Sequence, residues 1–189
     1  MDVVTPKPVR FGPRFYVLLV AVGVATFFFH ETAHWLAGVV LGYPMSFSLN
    51  GVRPLTPTTV PHATLIAAAG PLLTIAQAVA AFAILRRRPG ALAFAVLLWA
   101  AVMRLVATGV SFSHPNDEMR VSDTLGLGAW TLPVLVPAAL CVLVWIAGRR
   151  LRIGWRTIAL CYVVMSVTSA AIVLGDQALQ RPAVVSSGR

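Results

Sequence analysis

The sequence is poor in charged residues and in cysteine for its length. Charged residues make up 11% of 189 residues, only six of them are acidic, and two cysteines occur. Soluble globular domains carry about 25% charged residues, so this composition excludes an ordinary soluble domain. Cys141 and Cys161 stand in no CxxC or Cys/His pattern, so we interpret them as apolar filler, with a disulfide between their helices as the alternative.

Hydrophobic residues, in contrast, form 58% of the chain, and the mean hydropathy is +0.83. Five apolar stretches reach the length of about 20 residues that a helix needs to cross a hydrocarbon core of roughly 30 Å. They lie near residues 14–40, 60–85, 91–110, 130–147 and 155–174. We therefore predict an all-α, polytopic integral membrane protein with about five transmembrane helices. It forms a single domain over residues 14–176, with flexible tails at 1–13 and 177–189.

Basic residues cluster at the ends of alternate spans. Ten of the fifteen precede the first span, separate the second from the third, or separate the fourth from the fifth: Lys7, Arg10, Arg14, Arg86, Arg87, Arg88, Arg149, Arg150, Arg152 and Arg156. The positive-inside rule then predicts a cytoplasmic N-terminus and an outer C-terminus, and we expect the plasma membrane of a prokaryote. The basic runs are not interleaved with aromatics and no nucleic-acid motif occurs, so we predict the lipid bilayer, and no nucleic acid, as a partner.

Residues 30–34 read His-Glu-Thr-Ala-His and lie inside the first predicted span. Ionisable side chains within a membrane span are costly and are usually functional. In a helix His30 and His34 lie on one face, so two imidazole nitrogens can bind a single metal ion. Glu31 lies beside them, where it can handle a proton of a metal-bound water. The alternative is a hydrogen-bonded polar cluster that holds helices together.

This combination of residues suits metal-assisted hydrolysis. Zinc lowers the pKa of a bound water to about 7, and a neighbouring carboxylate can take the proton and pass it to a leaving amine. Catalytic zinc commonly has three protein ligands, so a third ligand must come from elsewhere in the chain. The candidates are the other acids and histidines expected in the outer half: Asp117, Glu118, Asp123, His62, His114 and Asp176.

The motif at residues 30–34, with the Trp-Leu-Ala-Gly of residues 35–38 and the Ala-Gly-Pro-Leu of residues 69–72, resembles the site-2 protease group of intramembrane zinc metalloproteases. Asn-Asp-Glu at residues 116–118 lies where that family carries an Asn-Pro-Asp-Gly or Leu-Asp-Gly segment. The resemblance implies that His30, His34 and Asp117 bind Zn²⁺ and that Glu31 is the general base. It also implies that the substrate is a transmembrane protein. Because Glu rather than Gly follows Asp117, Glu118 is the rival third ligand.

Three further features bear on the site. Gly70 and Pro71 either shape the active-site cleft or make an ordinary helix kink, and Thr74 stands where many relatives carry Asn. Residues 116–118 also have the composition of a helix start. Arg104, the remaining charge within a span, is expected to pair with one of three acids and orient the ligand loop, or to snorkel to the outer interface. Those acids are Asp117, Glu118 and Asp123.

The segment at residues 42–59 contains three prolines among Ser and Thr and cannot be a regular long helix. It is expected either to gate the site or only to connect the first two spans. Two other functions use the same residues. One is a membrane metal-binding or metal-transport protein without hydrolysis, and the other is an inactive relative that serves as a membrane scaffold.

Overall fold

The computed structural model describes residues 11–180, of which 76% lie in helices. The elements in chain order are α1 (Pro13–Val40), β1 (Met45–Ser48), β2 (Gly51–Pro54), α2 (Val60–Arg87), α3 (Ala91–Val110), α4 (Asp117–Thr124), α5 (Thr131–Arg150) and α6 (Trp155–Gln180). Helix α6 therefore continues four residues into the segment expected to be a flexible tail. The rest of that tail, and most of the tail expected at residues 1–13, lies outside the described residues.

Five of the helices, α1, α2, α3, α5 and α6, are long and apolar enough to cross a membrane, which confirms the predicted number of long apolar helices. Their ends are set by local chemistry. Proline occupies the first turns of α1 and α2, where its missing N–H would have no helical partner in any case. Arginines fill the last turns of α2 and α5, where a cation interacts favourably with the helix dipole.

The predicted all-α fold omits one element. At residues 45–54, within the segment expected not to be a regular long helix, β1 and β2 form an antiparallel hairpin. Ser48 pairs with Gly51, and Met45 pairs with Pro54. The two-residue loop of this hairpin is Leu49-Asn50, and neither residue has a positive φ, so the loop lacks the glycine-containing dipeptide that usually indicates such a hairpin. The prolines of this segment indicate only that a helix is absent.

The core forms around the middle of α3, which packs against α1, α2 and α5. Trp99 is fully buried, its ring lies against Gly23 of α1, and its indole N–H donates to the Leu19 carbonyl at 2.6 Å. A side chain at Gly23 would overlap the indole ring. Helices α1 and α3 therefore approach closely, and α1 also contacts α2 and α6.

The buried face of α1 changes character along its length. Its first half buries apolar residues such as Phe15 and Leu19, and the same face continues at helical spacing with Thr26, His30 and His34. The polar half faces α2, and α4 packs against α2 as well. Because of this arrangement, the short helix α4 brings its first turn close to the histidines of α1.

Candidate metal centre

His30, His34 and Asp117 converge on one point between α1 and α4. Oδ2 of Asp117 lies 3.3 Å from Nε2 of His34 and 3.8 Å from Nε2 of His30, and the two Nε2 atoms are 3.1 Å apart. Bonds of 2.0–2.1 Å in a tetrahedral zinc site place ligand atoms about 3.3 Å from one another. The three side chains could therefore hold a metal ion of this kind.

The orientation of both imidazoles is fixed by their other ring nitrogen. Nδ1 of His34 lies 2.6 Å from the Ile66 carbonyl, which can only accept, so Nδ1 carries the proton. Nδ1 of His30 lies 3.0 Å from the Thr74 hydroxyl, which itself donates to the Gly70 carbonyl at 3.0 Å. The Thr74 oxygen must therefore accept from His30. In both rings Nε2 is left with a lone pair directed at Asp117, as in metal sites with such supporting hydrogen bonds.

Three acceptor atoms thus face each other, two on buried imidazoles and one on the partly exposed Asp117. His30 and His34 are 5% and 6% exposed, so water cannot compensate for the repulsion of their lone pairs. A cation has to lie among the three atoms, either a metal ion or, without one, a proton on the imidazoles. When an imidazole carries that proton on Nε2, it donates to Asp117; burial acts to raise the pKa of Asp117, but these hydrogen bonds from His30 and His34 outweigh it and lower the pKa below its ordinary value. Asp117 is accordingly a carboxylate.

Gly70 of α2 makes room for the two rings. A Cβ atom there would lie 2.6 Å from Cε1 and 2.7 Å from Nε2 of His30, and it would also collide with Nε2 of His34. The Gly-Pro element therefore has a packing role at the metal centre. Helix α2 continues through Pro71 without interruption.

The two neighbouring acids of α4 have different partners. Glu118 is 4% exposed and forms an ion pair with Arg104 of α3, with Nη1 2.6 Å from Oε1. Its other oxygen accepts from Nδ2 of Asn116 at 2.9 Å, and Asn116 also caps α4 by accepting from the Met119 N–H at 2.8 Å. The predicted pairing of Arg104 and the predicted helix start are both confirmed. Glu118 is directed away from the histidines, so Asp117 is the candidate third ligand.

The remaining candidate ligands lie elsewhere. His62 is hydrogen-bonded through Nδ1 to the Tyr43 hydroxyl at 2.8 Å, while His114 and Asp123 are exposed. Asp176 is buried, but its carboxylate is hydrogen-bonded to the hairpin. It accepts from the hydroxyl of Ser48, the N–H of Leu49 and the amide of Gln180.

Glu31 lies beside the cluster at the meeting point of two cavities. It is 9% exposed and has no hydrogen-bond partner within residues 11–180. One cavity, of about 340 Å³, has a polar wall that includes His34 and Arg53. The other, of about 370 Å³, is mainly apolar and also contains His30. Asn50, at the tip of the hairpin, lines both cavities with Glu31 and Asp117. Glu31 therefore borders both cavities.

Three groups of this site were given no role on the basis of the sequence. Thr74 and the Ile66 carbonyl orient the histidines, and Asn50 lines both cavities. Thr74 follows Gly70 by one helical turn, and this spacing could have suggested a buried hydroxyl on the same face. A backbone carbonyl leaves no signal in a sequence, so the part played by Ile66 could not have been found.

In comparisons with known proteins, the chain matches no protein-family model, no curated protein and no solved structure.

Proposed function

We propose that the protein is an intramembrane zinc metalloprotease. It hydrolyses a peptide bond in or next to the transmembrane segment of a protein substrate. The observation that carries this proposal is the convergence of His30, His34 and Asp117, with Glu31 beside them, inside a bundle of five helices that are apolar enough to cross a membrane. Two buried imidazoles, the partly exposed Asp117 and the neighbouring Glu31 suit a hydrolytic metal centre better than they suit helix packing.

The proposal includes the placement of the bundle in a lipid bilayer, with a cytoplasmic N-terminus and an outer C-terminus. The arginine clusters at the ends of α2 and α5 support this orientation under the positive-inside rule. The metal centre then lies in the outer half of the membrane, since His30 and His34 belong to the second half of α1. The plasma membrane of a prokaryote is the proposed location.

Each residue of the centre has a defined task. His30, His34 and Asp117 hold the ion, and the Thr74 hydroxyl and the Ile66 carbonyl keep both imidazoles in the ligating tautomer. A zinc ion bound there would polarise the scissile carbonyl and make water a usable nucleophile at neutral pH. The protein residues supply the rigid and largely dry surroundings that such chemistry requires.

Glu31 is the proposed general base. Its carboxylate lines both cavities and is not engaged by another side chain within residues 11–180, so it can accept a proton from the attacking water and deliver it to the leaving amine. The polar cavity offers a route for water, and the apolar cavity offers a surface for substrate side chains. A substrate helix has to unwind locally, because a helical backbone shields its own carbonyls.

The structure gives less support to metal transport. A transport path would require polar side chains between the metal centre and the opposite end of the bundle. That half of the bundle is filled with apolar side chains, including Phe15, Leu19, Leu97 and Trp99, all at most 3% exposed. An inactive scaffold differs from a protease only in catalysis, so an activity measurement separates these two functions.

The central test replaces Glu31 by Gln, which keeps the shape of the side chain and removes the base. Wild-type and Glu31→Gln protein are reconstituted into liposomes with a panel of tagged single-span membrane proteins, and zinc is measured on the same samples. We expect equal zinc content and a loss of cleavage of at least 10²-fold, the lower range for general-base catalysis. Asp123→Asn, at an exposed carboxylate outside the centre, is the matched control and should cleave normally.

Two results would contradict the proposal. Retained cleavage in Glu31→Gln would remove the role of Glu31 as the base. Purified wild-type protein without zinc, and without cleavage after zinc is added, would support the scaffold function instead.

A further inference from the structure

A separate cleft, which shares no lining residue with the cavities at the candidate metal centre, is formed by α3, α5 and α6. Its volume is about 200 Å³. Its walls are apolar and include Phe94 and Leu98 from the start of α3 and Ile158 from α6. Arg149 and Arg152, at the connection between α5 and α6, also line it, and both are exposed. The cleft thus combines apolar walls with two cations.

The backbone at Arg152 is unusual. Its φ is 52°, and among residues 11–180 it is the only residue other than glycine with a positive φ. Residues with a Cβ atom rarely adopt this left-handed conformation, because Cβ comes too close to the following carbonyl oxygen. Glycine is therefore the usual residue at the position that follows a helix in this way.

The other helix ends of this kind in the structure do use glycine. After α1, Gly42 has φ 86° and the Tyr43 N–H bonds back to the Gly38 carbonyl. After α4, Gly126 has φ 70° with the same bonding pattern. After α5 the pattern recurs, with the Ile153 N–H bonded to the Gly148 carbonyl, but Arg152 occupies the left-handed position. Arg152 therefore occupies a position where the backbone alone favours glycine.

The cations at this cleft have no anionic partner within residues 11–180. Neither Arg149 nor Arg152 forms an ion pair there. The guanidinium of Arg149 lies over the Trp145 ring, 5.5 Å from its centroid, which holds it beside the cleft. Two cations beside an apolar cleft are complementary to a ligand with an anionic head and a hydrocarbon chain.

We propose that this cleft binds one anionic phospholipid. Arg149 and Arg152 contact the phosphate, and part of an acyl chain lies against Phe94, Leu98 and Ile158. Basic pockets between helices at the cytoplasmic side of membrane proteins bind anionic headgroups in this manner. The inference rests on the membrane placement proposed above and is independent of the zinc chemistry.

The test measures thermal unfolding of the full chain in detergent micelles. Phosphatidylglycerol, phosphatidylcholine with the same acyl chains, or inorganic phosphate is added to separate samples. With phosphatidylglycerol at roughly ten times its Kd, we expect Tm to rise by about 3–6 °C. Phosphatidylcholine and inorganic phosphate should each give a much smaller rise, because one lacks the net charge and the other lacks the chain.

Two variants link this response to the cleft. Arg152→Gly relieves the backbone, so without lipid it should unfold at the same or a higher temperature, yet it should lose most of the response to phosphatidylglycerol. Gly148→Leu keeps both arginines and fills the cleft, where an added Cβ meets no atom within 4 Å, and should lose the response as well. Arg86→Ala removes a cation from a different basic cluster and should respond like the wild type.

Several results would overturn the inference. They are a full lipid response in Arg152→Gly, an equal effect of phosphatidylcholine, and an equal effect of inorganic phosphate. None of them bears on zinc content or cleavage, so they leave the proposed protease activity in place. Protein that stays soluble without detergent would overturn both the lipid site and the membrane placement.

Discussion

Arg104 of α3 and Glu118 of α4 form a buried ion pair that fastens the first turn of α4 to the helix bundle. Nη1 lies 2.6 Å from Oε1, and the two side chains are 3% and 4% exposed. Asp117 precedes Glu118 directly and points toward the histidines of α1. One short helix start therefore presents two carboxylates in different directions, one that anchors the helix and one that faces the metal centre.

Removing one member of this pair should therefore affect both stability and metal binding. Breaking a buried ion pair costs about 3–5 kcal/mol, because the remaining charge is left without a partner. We expect Arg104→Leu to lower the free energy of unfolding by this amount and to weaken zinc binding as Asp117 loses its support. Chemical denaturation in micelles and competition with a zinc chelator measure the two effects.

The double variant Arg104→Leu, Glu118→Met is the control for this prediction. It removes both charges, so it should be more stable than Arg104→Leu alone. If Arg104→Leu keeps the stability and the zinc affinity of the wild type, the ion pair has no part in positioning Asp117.

Gly70→Ala should damage the metal centre without harming its helix. Alanine favours a helix over glycine by about 0.5–1 kcal/mol, but its Cβ would overlap the imidazoles of His30 and His34. We expect zinc affinity to fall by at least about tenfold, within the range seen when the support of metal ligands is disturbed. Isothermal titration with zinc would measure this change.

Gly175→Ala in α6 is the matched control, because a Cβ there meets no atom within 4 Å. It should bind zinc like the wild type and unfold at the same or a higher temperature. Equal zinc affinity in Gly70→Ala and Gly175→Ala would contradict the close approach of α2 to the histidines.

Thr74→Val should loosen the orientation of His30. The variant keeps the shape of the side chain but loses the oxygen that accepts from Nδ1. Loss of such an outer hydrogen bond typically weakens metal binding by about 10–100-fold. Thr74→Ser should restore most of the affinity, since it retains the hydroxyl.

Thr168→Val provides the comparison for Thr74→Val. Thr168 is buried in α6, and its hydroxyl bonds only to the Val164 carbonyl of its own helix among the described residues. Zinc affinity should be unchanged in this variant. A similar loss of affinity in both variants would indicate a general packing effect instead of a specific bond to His30.

Asp176→Asn should weaken the attachment of the hairpin to α6 without changing the zinc content. Asp176 accepts from the Ser48 hydroxyl at 3.0 Å and from the Leu49 N–H at 3.1 Å, so it ties the turn of the hairpin to α6. Hydrogen bonds to a charged group contribute about 1.5–3 kcal/mol each, and the neutral amide weakens them. We expect faster amide hydrogen exchange at residues 45–54 with unchanged zinc content.

A fall in zinc content in Asp176→Asn would instead indicate that this acid takes part in metal binding. Gln177→Ala, one residue along α6 at an exposed position, should leave both hydrogen exchange and zinc content as in the wild type.

The long helices could be predicted from the sequence because each is specified locally. A run of about 20 apolar residues, ended by arginine or by proline and glycine, is long enough to cross a bilayer whatever the rest of the chain does. The pairing of Arg104 with a nearby acid followed from the cost of an unpaired charge at that depth. The hairpin at residues 45–54 was missed, because its two-residue loop, Leu49-Asn50, contains no glycine and the segment is rich in proline.

The sequence by itself determined the two imidazoles and Glu31, because one helical turn fixes the spacing of residues 30–34. Only the tertiary structure decided which carboxylate joins them. Asp117 and Glu118 are adjacent and chemically similar, and their roles differ because Arg104, 14 residues away, pairs with one of them. The supports at Thr74 and Ile66 likewise depend on how α2 packs against α1, a long-range arrangement that local residue patterns do not encode.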